Sequence, residues 1–252
     1  MKPSGSARLQ VHIFSAGAAR VWIEHTLSAP DWSDRANYPA RYAALQSTLT
    51  EVNRCLSQQL PCHLTVLTPD AARTLQASWP DRVECLGSLG RAATGWVVLA
   101  NDPQHYDISS PAALSQTLRG LGVLLVPDLQ ASSGGRHLDQ VLHQLQLAEG
   151  GIQSMRSFPG GAQAVAALAA HAGTRVMACA QSTEIQDADH ARYLGPFPAP
   201  YGLSTEYVVV LVRPLSGPLA AQDVAGFELA RKVGLYLCDP RLHAQRRQLG
   251  FE

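Results

Sequence analysis

A chain of 252 residues, 46% of them hydrophobic, carries enough apolar surface for one large α/β core or two smaller ones. Its 20 basic and 20 acidic residues cancel, which excludes the general basic excess of a protein that neutralises many phosphates and leaves any nucleic-acid surface to a local patch. No uncharged apolar run reaches about 18 residues, so no membrane span is expected. The five cysteines include no Cys-x-x-Cys pair, which argues against a zinc ribbon or a disulfide framework and predicts buried free thiols. The first eight residues, from Met1 to Arg8, lack the apolar core of a secretory signal, and a cytoplasmic protein is expected. All the basic residues except Lys2 and Lys232 are arginine, a bias that a GC-rich, bacterial-like coding sequence and a use of bidentate anion contacts both produce.

In chain order, 9–14 and 20–27 read as the two strands of a hairpin. The second alternates Val21, Ile23, His25 and Leu27 with Arg20, Trp22, Glu24 and Thr26, and Ser15-Ala16-Gly17-Ala18-Ala19 is the link. A helix is predicted over 38–59, where Tyr38, Tyr42, Leu45, Leu49, Val52 and Leu56 recur at steps of three and four, with Pro39 in the first turn and Pro61 after the end. Three mainly apolar runs, 63–67, 96–100 and 123–126, stop on Thr68-Pro69-Asp70, Asn101-Asp102-Pro103 and Pro127-Asp128. Each predicts a strand buried on both faces, with its carboxyl end where open α/β sheets collect ligands. Around them fall a helix at 70–78, a strand at 82–86 and a helix at 110–119 opened by Ser110 and Pro111; the strand–helix–strand order over 96–126 predicts parallel pairing.

Beyond Gln130 the composition shifts, and Ser132-Ser133-Gly134-Gly135 reads as a flexible loop or a boundary. Helices at 138–145 and 162–172, a strand at 175–180, a loop bearing Pro196, Pro198 and Pro200, a strand at 206–212 and a long helix at 220–238 follow. The expected fold is α/β, a mixed sheet with flanking helices, either in two units at 1–130 and 131–252 or as one continuous domain. A β/α barrel is the alternative, favoured by length and alternation and opposed by the initial hairpin.

Candidate chemistry gathers at a few places. Asp102, His105 and Asp107 follow a buried strand directly, so they are candidates for a base with its orienting partner or for metal ligands, against the reading of Asn-Asp-Pro as an ordinary turn. Glu184, Asp187, Asp189 and His190 form the densest acidic cluster of the second half and are candidate metal ligands, without the glycine and terminal Glu of an EF-hand loop. Asp139 and His143 are spaced as a surface pair on a helix. Arg241, Arg246 and Arg247 make the one notable basic cluster, a candidate phosphate contact. Phosphate-loop, dinucleotide and nucleophile-elbow motifs are all incomplete, so no cofactor is assigned.

Gln10-Val11-His12-Ile13-Phe14-Ser15-Ala16-Gly17, a second strand, the helix over 38–59 and Leu64-Thr65-Val66-Leu67-Thr68-Pro69-Asp70 together resemble the opening of a ribonuclease H-like fold, over residues 9–78. In that family an Asp on the first strand, a Glu on the first helix and an Asp ending the fourth strand hold divalent metals. Here Ala16 stands at the first of these places, Arg41 or Tyr42 near the second, and Pro69 at the third with Asp70 one residue late. Two-metal hydrolysis needs several carboxylates around its cations, so the resemblance implies a noncatalytic relative, a pseudoenzyme. Asp70 has a second explanation as the acid in the first turn of a helix capped by Thr68. The leading expectation is a noncatalytic nucleic-acid-associated binding protein using a local arginine patch. The alternatives are a small-molecule or metal-dependent enzyme with its site at the carboxyl end of strand 96–100, and a protein-interaction module.

Overall fold

The computed structural model describes residues 8–214 and 221–252. Its elements are β1 (Leu9–Gln10), β2 (Ile13–Ala16), α1 (Arg20–Ser28), α2 (Pro30–Ser33), β3 (Ala36–Asn37), β4 (Ala40–Ala43), α3 (Leu45–Gln58), β5 (Leu64–Leu67), α4 (Pro69–Ser78), β6 (Val83–Leu99) and α5 (Pro111–Arg119). They continue with β7 (Val123–Pro127), α6 (Ser133–Gln144), β8 (Met155–Phe158), α7 (Gly161–Ala166), β9 (Val176–Gln181), β10 (Ala191–Pro196), β11 (Leu203–Val212), α8 (Ala221–Leu237) and α9 (His243–Gln248). A 3-10 turn, Gly17–Ala19, leads into α1. The predicted start of the long helix at residue 220 lies outside the described residues.

The expected hairpin at 9–27 is absent, because 20–28 is helical. Both periods fit its apolar residues, and Trp22 decides between them. Alternation would turn Trp22 outward, yet it is 1% exposed and donates its indole N–H to the Leu237 carbonyl at 3.0 Å. Trp22, Ile23, Thr26 and Leu27 all bury, at helical spacing. Since β2 pairs in parallel with both β4 and β5, the chain leaving β2 must cross back over the sheet, which a short hairpin link cannot do. The predicted helix over 38–59 likewise divides. Its first turn is the strand β4, and only from Leu45 does the period of four bury Thr48, Val52, Cys55 and Leu56.

Nine strands of the described residues form one mixed sheet in the order β4-β2-β5-β11-β6-β9-β7-β8, with β10 also on β6. β4 and β8 stand at its two ends, so the sheet is open and the barrel alternative is corrected. The strands expected at 82–86 and 96–100 are one strand, β6, which changes partners along its length. Its first part pairs with β11, and its last part pairs antiparallel with β9 and β10. The predicted parallel pairing of 96–100 with 122–126 is therefore also corrected: β9 lies between them, antiparallel to β6 and parallel to β7.

Residues before 93 and after 202 build one half of the molecule, in which α1 and α8 cover one face of the sheet and α3 and α4 the other. Residues 94–201 build the second half, with α5 and α6 on one face and α7 on the other. Ser132-Ser133-Gly134-Gly135 is the capped start of α6, where the Ser132 hydroxyl accepts the Gly135 N–H at 3.3 Å. Among the described residues no helix is long and apolar enough to cross a membrane.

Candidate ligand-binding cleft

A cleft of about 710 Å³ opens between the two halves, where the carboxyl ends of β2 and β4 face those of β7, β8 and β9. Most of these strands run directly into a helical segment, so much of the wall is the backbone of helix starts, whose first amides have no partner within the helix. Two of the starts also lack a capping side chain: Ala16 precedes the turn into α1, and Ala44 precedes α3. The first bond of α3 is Thr48 N–H to the Ala44 carbonyl at 2.9 Å, leaving the amides of Leu45, Gln46 and Ser47 ahead of it. Ala16, Gly17 and Ala43 allow close approach to this backbone because they are small.

The polar side chains on the walls are mostly neutral. Thr94, where β6 passes between the halves, is 1% exposed, and its hydroxyl has no protein partner; the Tyr42 hydroxyl is buried in the same condition. Burial pushes the Tyr42 phenol well above its ordinary value. The Tyr207 hydroxyl donates to Gln181 Oε1 at 2.9 Å. Arg20 is the only basic side chain lining the cleft among the described residues, and it is shared between Glu24 at 3.1 Å and Asp187 at 2.8 Å. Asp128 turns its carboxylate onto its own turn, accepting from Gln130 and Ala131 N–H at 2.8 Å each, which holds it below the usual carboxylate range.

Glu184 is the second acid of the cleft. Its Oε2 accepts the Gln181 N–H at 2.9 Å, and the Gly161 and Ala162 amides at the start of α7 also bond to the carboxylate. Burial pushes this carboxyl up and the three amides hold it down; burial is the larger effect. A Cβ on Gly161 would lie 2.1 Å from Oε2, so only glycine leaves room for the carboxylate there.

The residues singled out from sequence fall in different places. Asp102 accepts from Gln104 N–H and from the Tyr106 hydroxyl at 2.6 Å, Asp107 accepts from Ser109, and the exposed His105 offers its carbonyl to Arg175. All three lie outside the cleft, for a topological reason. β6 runs antiparallel to β9, so the carboxyl end of β6 is at the amino end of β9, where Tyr106 meets the Val176 carbonyl. Of the acidic cluster, Glu184 reaches the cleft, Asp187 pairs with Arg20, His190 bonds the Val165 carbonyl at 3.1 Å, and Asp189 is exposed. Among the described residues no three His, Cys, Asp or Glu side chains gather to hold a metal. Asp70 lies in the first turn of α4, capped by Thr68 and paired with Arg73. Asp139 and His143 approach to 3.8 Å on α6.

The tail arginines do not form a patch. Arg246 is 4% exposed, donates to the Leu237 and Asp239 carbonyls at 3.1 and 2.9 Å, and stacks over Trp22. Arg241 is held by Asp239 at 2.6 Å. Only Arg247 of the three is exposed without such a tie in the described structure.

The architecture is that of the periplasmic-binding-protein-like folds, a mixed sheet with flanking helices. The Azotobacter vinelandii periplasmic molybdate-binding protein superposes with a TM-score of 0.66 at 13% identity, covering 96% of this chain and 98% of that one. The substrate-binding domain of a putative molybdenum ABC transporter from Clostridium difficile gives 0.63 at 12% identity, over 96% and 98% of the two chains. The sulfate-binding protein SubI from Mycobacterium tuberculosis H37Rv gives 0.57 at 14%, over 97% and 92%. No family model and no curated protein sequence matches this chain. At such identities the likeness shows the fold alone. It replaces the ribonuclease H-like expectation over 9–78 and the pseudoenzyme drawn from it. The nucleic-acid partner falls as well, since its two supports were that resemblance and an arginine cluster in which Arg246 is buried and Arg241 is paired with Asp239.

Proposed function

We propose that this chain is a ligand-binding protein whose cleft takes a small anion. The observation that carries the reading is the pair of uncapped starts, at Gly17 and at Leu45, on the walls of one cleft with the buried, unpartnered Thr94 hydroxyl. Amides at helix starts and an unpaired hydroxyl supply hydrogen-bond donors with partial positive charge, which suits an anion. The similar structures include a molybdate-binding and a sulfate-binding protein, which supports the same class.

The division into two units belongs to this reading. In place of the boundary expected at residue 130, the core clusters support a changeover where β6 and β11 cross near Thr94 and Leu203, and each unit presents one wall to the ligand. Cytoplasmic placement is also part of the proposal, supported by five cysteines that are all unpaired, with Cys85 exposed.

Thermal unfolding with phosphate, sulfate, molybdate and a chloride control tests it. An anion held at 100 times its Kd stabilises the folded state by about 2.7 kcal/mol, or roughly 5–10 °C for a chain of this size. A saturable rise with at least one oxyanion is expected. No shift with any of the three, alone or in calorimetric titration, refutes the reading.

A further inference from the structure

Resting on that reading, we infer that Glu184 makes the cleft selective for an oxyanion that carries its own proton, of the hydrogen-phosphate kind, over one that is fully ionised. The two carboxylate oxygens have different surroundings. Oε2 is committed to the Gln181 amide and lies against Gly161. Oε1 faces the other half of the molecule, 3.7 Å from where a Cβ on Gly17 would stand. Gly17 opens the uncapped turn whose amides are proposed as donors, so a ligand oxygen that accepts from those amides comes beside Oε1.

Two ionised oxygens, each with lone pairs only, repel when brought side by side unless a proton lies between them. The one nearby cation among the described residues, Arg20, acts on Glu184 through its charge, as the smallest of the effects there, and spends its hydrogen bonds on Glu24 and Asp187. The other titratable groups that act on Glu184 or feel it are Cys179 on β9 and Tyr207 on β11, and neither is a cation. Asp128, across the cleft, adds negative charge. The proton therefore comes either on the ligand or from solvent onto Glu184. Hydrogen phosphate brings its own, whereas sulfate and molybdate bind only after Glu184 has taken one up. Burial, which already raises the proton affinity of Glu184, makes that uptake possible at mildly acidic pH.

Isothermal titration of the full chain with phosphate, sulfate and molybdate between about pH 5 and pH 8 tests this, on the wild type and on Glu184→Gln. For the wild type, phosphate binding persists at pH 8, while sulfate and molybdate weaken by up to about tenfold per pH unit, the limit for uptake of one proton. In Glu184→Gln the slope for sulfate and molybdate disappears and both tighten at least about tenfold at pH 8, because the amide nitrogen donates where the carboxylate repels. A second measurement needs no variant. Titration of the wild type in buffers of different ionisation enthalpy counts about one proton taken up with sulfate and close to none with hydrogen phosphate. Sulfate or molybdate binding as tight as phosphate at pH 8, with no proton uptake, overturns the inference while leaving anion binding intact. Absence of binding by all three anions removes the anion reading and this inference with it.

Discussion

Replacing Thr94 by Val separates the cleft from an ordinary core position, because it moves stability and affinity in opposite directions. The hydroxyl is buried, with no protein partner, and an unsatisfied buried polar group costs about 1–3 kcal/mol. Valine keeps the shape and removes that cost, so the ligand-free protein gains about 1–2 kcal/mol, a rise of roughly 2–8 °C in melting temperature. A bound anion, however, loses one charge-assisted hydrogen bond worth about 1.5–3 kcal/mol, and its affinity falls about 10- to 100-fold. The backbone of Thr94 still accepts the Phe197 N–H and pairs with Gln181 and Leu203 in either variant. Calorimetric melting without anion and titration with phosphate read the two effects. Thr94→Ser, which keeps the hydroxyl, should hold its affinity within about threefold. A lower melting temperature for Thr94→Val together with unchanged phosphate affinity refutes the reasoning.

Glu184→Gln should gain stability relative to wild type as pH rises from about 4 to 8. A carboxyl whose folded pKa is raised contributes stability below its unfolded pKa, near 4.3, and loses that contribution as pH climbs through the folded value; a melting difference that is flat or falls with pH contradicts this. Gly161→Ala pushes a methyl to 2.1 Å from Oε2 of Glu184 and should cost about 2–4 kcal/mol in urea unfolding. That cost should shrink in a Glu184→Ala background, with about 1–3 kcal/mol of coupling; additive effects would show that the two residues are independent. Arg246→Ala, which abandons two carbonyls and the face of Trp22, should cost about 2–4 kcal/mol, while Arg247→Ala stays within about 0.5 kcal/mol. Equal effects at the two positions would mean that the tail is not part of the core.

Elements with local signals were readable in the chain. Thr68 before Pro69 and Ser110 before Pro111 start α4 and α5 where their caps predict, and the apolar run 123–126 is the buried strand β7. The misread elements were those whose local pattern fits two answers. The 20–27 segment satisfies periods of both two and 3.6, and only the parallel neighbours of β2 select the helix. At 38–59, a strand and a helix join without a turn residue to separate them. The candidate loop at Asp102–Asp107 lies away from the cleft for a reason outside its own sequence: a strand end shares a cleft with its neighbours only if they end there too, and the direction of β6 relative to β9 is set by pairing between residues some 80 positions apart. The cleft was harder still to see, since backbone amides have no residue identity. The visible trace was negative: Ala16 and Ala44 stand where a Ser, Thr, Asp or Asn normally caps a helix. Glu184 was visible as chemistry, but as a metal ligand, because its fixation by amides depends on Gly161 and Gln181 being folded around it.

The crossing strands also set an order of assembly. Thr94 and Leu203 are paired neighbours, so everything between them is a guest inserted into a host that begins before it and finishes after it. The guest has all its strands by residue 196. The host waits longer, because β11 lies between β5 and β6, in the middle of its sheet rather than at an edge. Until residue 212 has left the ribosome, the host has two unjoined strand groups with facing unpaired edges, while the guest already holds a complete sheet. Synthesis thus starts on the host and completes the guest first, and the exposed gap between β5 and β6 is the place where a nascent chain is open to wrong partners.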